Sequence, residues 1–219
     1  MRLSGEIKGL EMASRNASDA QAMIDTADGA HQEVHSMLLR MREIAVQAVN
    51  GTLNSADRTA LNTEMTALET EITKIADNTS FGGVNLGTSG VVVFQVGPAK
   101  GTTITHTFAD FDAASLSLSG GVDTATNAAN AISLIDDAIS LVSTRRGELG
   151  ALSNRLTSTI ANLDNIAVNL SSARGRIEDT DFAKETSNLA KSQIMQQAAT
   201  AMLAQANASK GTVLTLIQS

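Results

Sequence analysis

The sequence predicts a mainly α-helical fold, an elongated helical rod or bundle with coiled-coil character and a small β-hairpin. Three observations support this prediction. Apolar residues recur at heptad spacing in both outer parts of the 219-residue chain. The only proline is Pro98, and eight of the sixteen glycines lie within residues 82–121, so helix-breaking residues are concentrated in the middle. Aromatic residues make up only 2% of the chain and all five are Phe, so the core must be aliphatic.

Residues 1–78 are predicted to form two helices of the rod. Aliphatic residues and methionines recur every seven positions in the first helix, in two series: Ala20, Ala27, Val34, Met41 and Ala48, and Met23, Ala30, Met37 and Ile44. Asn50 and Gly51 break this pattern, and Asn54 or Ser55 is suited to cap a second helix. The second helix has its own apolar series, Leu61, Met65, Leu68, Ile72 and Ile75. These seams predict that the helices pack against one another.

Residues 79–127 are predicted to form a β-hairpin and a surface connection. The run 91–96 is rich in β-branched residues, and 97–101 has the glycine and proline of a turn. In 102–108, Thr alternates with Ile104, His106 and Phe108, as in a second strand. The Asp-, Ala- and Ser-rich stretch 109–127 is predicted to lie on the surface.

Residues 128–177 are predicted to form one long helix of the rod. Every seventh position is aliphatic, at Ile135, Val142, Leu149, Leu156, Leu163, Leu170 and Ile177. A second series of positions, which begins at Ile132 and also repeats every seven residues, lies beside the first in the coiled-coil seam. It includes Arg146 and Arg174, which are polar interruptions able to set the register of a coiled coil.

Residues 178–219 are predicted to form a separate C-terminal helix, because acidic residues at 178, 179 and 181 suit a helix N-terminus. Its large apolar residues are Phe182, Leu189, Ile194, Met195, Met202, Leu203, Val213, Leu214, Leu216 and Ile217. The rest of the sequence offers no partner for them. We therefore expect another subunit or a chaperone to cover this helix.

Composition argues against several classes of function. The net charge of −7 disfavours nucleic-acid binding, and the absence of Cys excludes disulfides and thiolate chemistry. The sequence has no apolar run of the roughly eighteen residues that a membrane-spanning helix needs. It also has no phosphate-binding loop and no nucleophile elbow. We predict no enzymatic activity, no cofactor, no nucleic-acid partner and no membrane insertion.

The histidines are the remaining candidates for metal binding. His31 and His35 are one helical turn apart, as in a two-histidine metal face. The motif is not HExxH, however, and no third ligand is evident. We interpret this pair as a solvated helix face and His106 as a strand-packing residue, and we predict no metal site.

Several segments resemble bacterial flagellins. Residues 39–47, Leu-Arg-Met-Arg-Glu-Ile-Ala-Val-Gln, are similar to the N-terminal signature of that family, and residues 81–84, Phe-Gly-Gly-Val, resemble the motif before its hairpin. The most specific match is Asn-Leu-Ser-Ser-Ala-Arg-Gly-Arg-Ile-Glu-Asp-Thr-Asp-Phe-Ala at 169–183. The resemblance implies a secreted structural subunit that self-assembles into the extracellular flagellar filament used for motility. By the same resemblance, the chain is expected to lack the family's first N-terminal segment and large variable outer domains.

The resemblance also implies partners. These are other flagellin subunits, an export chaperone on the C-terminal helix, filament cap and junction proteins, and Toll-like receptor 5. For that receptor, the matching positions are Arg40, Ile44 and Glu64, where Ile44 also continues the apolar seam. Two alternatives share the same helices, a hook–filament junction protein and an extracellular ligand-binding protein built on a flagellin-like rod.

Overall fold

A computed structural model describes the backbone of residues 2–217 and the side chains of residues 2–178 and 182–208. The helices are α1 (Arg2–Val49), α2 (Ser55–Asn78) and α3 (Ala125–Ile217). Four strands lie between α2 and α3: β1 (Ser80–Phe81), β2 (Val84–Asn85), β3 (Gly90–Gln95) and β4 (Thr103–Phe108). The predicted mainly α fold with a small antiparallel sheet is therefore confirmed.

The chain folds as two compact units. The larger unit contains residues 5–167, and most of the smaller unit is the part of α3 from Val168 onward. Helix α3 runs without a break through 177–178, where the sequence predicts a boundary between two helices. Acidic residues at this point favour a helix start, but no residue there interrupts the backbone hydrogen bonding, so the helix continues.

Arg58 holds the end of α1 against the start of α2. Its guanidinium donates to the carbonyl oxygens of Ala48 at 2.9 Å, Leu53 at 2.9 Å and Asn50 at 3.0 Å. Ala48 lies in the last turn of α1, where carbonyls have no partner within the helix, so its bond with Arg58 satisfies a group that would otherwise need water. Asn54 begins α2 with a capping box, in which its side chain accepts from the backbone of Asp57 at 2.9 Å.

The core of the larger unit consists of two apolar clusters. The first joins the second half of α1, α2, residues 111–122 and the start of α3. The second joins the first half of α1 to the β3–β4 hairpin and the next part of α3. The heptad series of α3 is buried from Ile135 to Leu163, whereas Ile177 is 55% exposed. The seam predicted from the sequence is thus buried only within the larger unit.

The connection at 109–127 is anchored in the core by four apolar side chains, while most of its other residues are exposed. Phe111, Leu116, Leu118 and Val122 are all buried in the first cluster. The stretch is mostly small and polar, but these four side chains cover the space that α1, α2 and α3 leave between them. The average composition of the stretch therefore does not indicate that these four side chains fill part of the core.

The hairpin predicted at 91–108 is confirmed, with β3 and β4 antiparallel and Val93 opposite Thr105. Its inner face places Phe94, Ile104 and Phe108 in the second cluster. A smaller ladder between β1 and β2 is not predicted by the sequence. Gly82 and Gly83 connect its strands with positive φ angles of 57° and 84°, which a two-residue turn of this type requires.

Candidate assembly and recognition surfaces

Arg40 on α1 and Glu64 on α2 form one charged cluster on the surface of the larger unit. Arg40 Nε and Nη2 both donate to Glu64 Oε1, at 3.0 and 2.8 Å. Arg40 Nη1 donates to Glu43 Oε2 at 3.0 Å. The hydrogen bond with Glu64, followed by that with Glu43, raises the pKa of Arg40 above its ordinary value. The sequence prediction pairs Arg40 with Glu64 but omits Glu43, although the spacing of three residues on one helix is a usable signal.

Ile44, the third residue of the predicted recognition set, is not part of this exposed cluster. Its side chain is 1% exposed and lies in the first apolar cluster. The heptad seam of α1 therefore determines where Ile44 points. The exposed apolar residues nearest to Arg40 along α1 are Leu39 and Val46, which line a shallow depression together with Glu43.

Two further ion pairs connect α1 to α3 within the larger unit. Arg42 Nε lies 2.6 Å from Asp136 Oδ1, between half-exposed side chains. Arg146 binds Asp28 through two bonds, Nε–Oδ1 at 2.8 Å and Nη2–Oδ2 at 3.2 Å. Arg146 is one of the polar interruptions in the α3 seam, so the interruption is matched by a partner on α1.

In the smaller unit, α3 exposes large apolar side chains. Phe182, Leu189, Ile194, Met195, Met202 and Leu203 are each between 58% and 72% exposed. The sequence predicts these six residues as an uncovered surface. The other four residues of that set, Val213, Leu214, Leu216 and Ile217, lie outside the described side chains.

These exposed side chains are not confined to one face of α3. Ile194 and Leu203 are nine residues apart, which is about two and a half helical turns, so they point from opposite sides. Phe182 and Leu189 are seven residues apart and share a side with each other. A single flat surface on one side of the helix could not cover all of them.

His31 differs from the sequence interpretation, whereas His106 agrees with it. His31 is buried, so the pair His31 and His35 is not a solvated helix face. Residues 111 and 145 cover His31 from elements distant in sequence, which the spacing along α1 could not indicate. His106 packs edge-on against Phe108, with ring centroids 4.8 Å apart.

The described part of the chain has neither a metal-binding cluster nor a membrane-spanning helix. No group of three or more His, Asp or Glu side chains within it is arranged to hold a metal ion. None of the helical stretches described combines the length and apolar character needed to cross a bilayer.

Comparison with known proteins gives consistent matches. The family model of the bacterial flagellin N-terminal helical region matches residues 1–87, and that of the bacterial flagellin C-terminal helical region matches residues 132–217. A flagellin of Halalkalibacterium halodurans is 43% identical over 222 residues, covering 99% of this chain and 82% of that protein. A flagellin of Bacillus subtilis is 37% identical, with coverages of 99% and 84%. The crystal structure of Bacillus cereus flagellin is 29% identical, has a TM-score of 0.59, and covers 73% of this chain and 94% of its own.

Proposed function

Because the chain belongs to the bacterial flagellin family, we propose that the exposed apolar residues of α3 are the surface through which it joins other subunits. The chain is a structural subunit that polymerises with other flagellins into the extracellular filament used for motility. The observation that carries the proposal is the exposure of six large apolar side chains between residues 182 and 203. An isolated soluble protein rarely leaves so many exposed together.

The distribution of these side chains around α3 supports a polymer over a simple pair. Ile194 and Leu203 lie on opposite sides of the helix, so burying both requires neighbours on more than one side. In an open helical assembly each subunit contacts several copies through different surfaces. The arrangement of apolar residues on α3 fits that requirement.

Charge substitutions on α3 test this assignment. Ile194→Asp and Leu203→Asp, introduced into the gene in the bacterium that makes the protein, should each reduce filament length and number in electron micrographs. Gln197→Asp adds the same charge at an exposed polar position of the same helix and should leave filaments normal. The amount of subunit released into the medium separates a failure of polymerisation from a failure of export. Normal filaments in both apolar variants would contradict the proposal.

Before polymerisation the same apolar helix needs protection from aggregation. We propose that an export chaperone covers it inside the cell and that the subunit is then secreted through the flagellar export route. Filament cap and junction proteins are its proposed neighbours at the ends of the polymer. We assign it no catalytic function and no cofactor, since its task is assembly.

A second proposal concerns Toll-like receptor 5. Arg40 and Glu64 are half exposed and in direct contact, so they present one charged surface spanning two helices. We propose that this surface contacts the receptor and that the exposed Leu39 supplies the adjacent apolar contact. Ile44 then acts by seating α1 in the core. The alternatives of a junction protein and a ligand-binding protein have no comparable support.

A further inference from the structure

His31 occupies an unusual position for a titratable residue. Among the side chains that the structure describes, it is the one buried polar side chain, at 3% exposure. Its Nδ1 lies 2.8 Å from the carbonyl oxygen of Ala27. A carbonyl only accepts hydrogen bonds, so Nδ1 carries the proton and Nε2 is the unprotonated nitrogen of the neutral ring.

His31 lies where three parts of the larger unit meet. It belongs to α1, and the ring of Phe111, in the segment after β4, packs against it with centroids 4.4 Å apart. Together with His106 of β4 and Arg145 of α3, His31 also lines a cavity of about 20 Å³. A cavity of this size has room for about one water molecule, which is far less water than a charged imidazole has in solution.

The charged groups around His31 include two arginines, which disfavour a positive charge on the imidazole. From α3, Arg145 and Arg146 both face it, and Glu148 lines the same cavity. Arg145 donates to the backbone carbonyl of Asp110, in the segment after β4. The nearest carboxylate on α1, that of Asp28, is already bound by Arg146 through two bonds. His106 faces the cavity from β4 as a second titratable group.

We propose that His31 is a pH-sensitive contact residue. While neutral, it packs α1, α3 and the segment after β4 together, and its protonation destabilises that packing. Burial places the imidazole where charge is poorly solvated and Arg145 adds repulsion, while the opposite charges of Asp28 and Arg146 partly cancel. Phe111, which is buried in the first apolar cluster, packs directly against this ring. This proposal is separate from polymerisation, because it concerns how the stability of the larger unit depends on pH.

The sign of the effect follows from burial. Desolvation lowers the pKa of His31 below its ordinary value of 6.5, and the bond to Ala27 and the charge of Asp28 only partly oppose it. The unfolded chain therefore binds more protons than the folded one as the pH falls through this value, and stability is lost. Most carboxylates begin to protonate only at lower pH, so the window between pH 7 and 5 isolates the histidines.

The test is the thermal midpoint of the full chain, followed by circular dichroism at pH 7 and pH 5. We expect the midpoint to fall by roughly 3 °C over this window, from the protonation of one group. His31→Leu, which has no ionisable group, should lose most of this fall. His31→Gln keeps a hydrogen-bond donor for Ala27 and guards against the leucine variant failing to fold. His35→Gln is the matched control one turn along α1 and should retain the fall.

Several outcomes would overturn the proposal. If the thermal midpoint of His31→Gln fell between pH 7 and pH 5 as much as that of the unchanged chain, His31 would not be the pH-sensitive residue. A fall abolished by His106→Gln but kept by His31→Gln would assign the effect to β4. A midpoint that rises on acidification would show that Glu148 or Asp28 stabilises a charged imidazole.

Discussion

Arg146 on α3 binds Asp28 on α1 through two parallel hydrogen bonds, Nε–Oδ1 at 2.8 Å and Nη2–Oδ2 at 3.2 Å. A planar guanidinium and a planar carboxylate meet in this way only at one relative position along the helices. Apolar heptads alone tolerate sliding by a whole repeat. The pair therefore specifies the register in which α1 packs against α3.

Replacing the two-bond geometry of this pair by a single ammonium contact should destabilise the larger unit by a small amount. Both side chains are about one-third exposed, so solvent screens the attraction, and we expect Arg146→Lys to lower the free energy of unfolding by about 0.5–1 kcal/mol. A double-mutant cycle with Asp28→Asn measures the coupling by urea denaturation. A cycle of Lys74→Gln and Glu71→Gln, on an exposed pair within α2, is the control. Equal coupling energies for the two pairs would contradict the proposal that Arg146 and Asp28 specify the register of α1 against α3.

Leu156 should be a major contributor to stability. Its side chain is fully buried in the second apolar cluster, so Leu156→Ala is expected to cost about 2–5 kcal/mol. Leu163, buried at the next heptad position, should behave similarly. Ile177 belongs to the same heptad series but is more than half exposed, so Ile177→Ala should change the thermal midpoint little. Similar losses for the buried and exposed positions would contradict the observed end of the seam.

Arg58 should matter more than an ordinary surface arginine. Arg58→Ala removes three hydrogen bonds to carbonyls at the junction of α1 and α2, and we expect a loss of about 1–3 kcal/mol. Arg58→Lys keeps the charge but not the forked geometry, and should recover only part of the loss. Chemical denaturation of the three proteins measures the series. Full recovery by lysine would mean that charge alone suffices.

Arg40 tests the proposed receptor surface. Arg40→Ala should weaken binding to the Toll-like receptor 5 ectodomain at least several-fold in surface plasmon resonance, while the circular dichroism signal stays unchanged. The residue is exposed and outside the core, so its loss should leave the helices intact. Lys74→Ala, on the exposed surface of α2, is the control and should bind normally. Unchanged affinity in the Arg40 variant would remove this surface from the proposed interaction.

Much of the fold could be predicted from the sequence because its signals are local and repeated. The heptads of α1 and a helix cap at Asn54 or Ser55 follow from spacings within a few turns; the α1 series is largely buried, and the cap is Asn54. The Thr alternation of β4 likewise follows from the period of a strand. The exposure of the large apolar side chains between residues 182 and 203 also agrees with the sequence prediction.

The positions of Phe111, His31 and Ile44 depend instead on contacts between residues far apart in the chain. Phe111 is buried because α1, α2 and α3 leave a space for it, and no feature of its own segment indicates that space. His31 is buried for the same reason, through Phe111 and Arg145. Ile44 fits both the seam and the recognition set by sequence, and the structure places its side chain in the seam.

The bonds of Arg58 have a consequence for the order of folding. Its acceptors lie only five to ten residues away along the chain, whereas Arg146 reaches Asp28 across 118 residues. Closing a short loop loses less chain entropy than closing a long one, so short-range contacts form sooner. The turn between α1 and α2 should therefore form first and provide a template onto which α3 docks later.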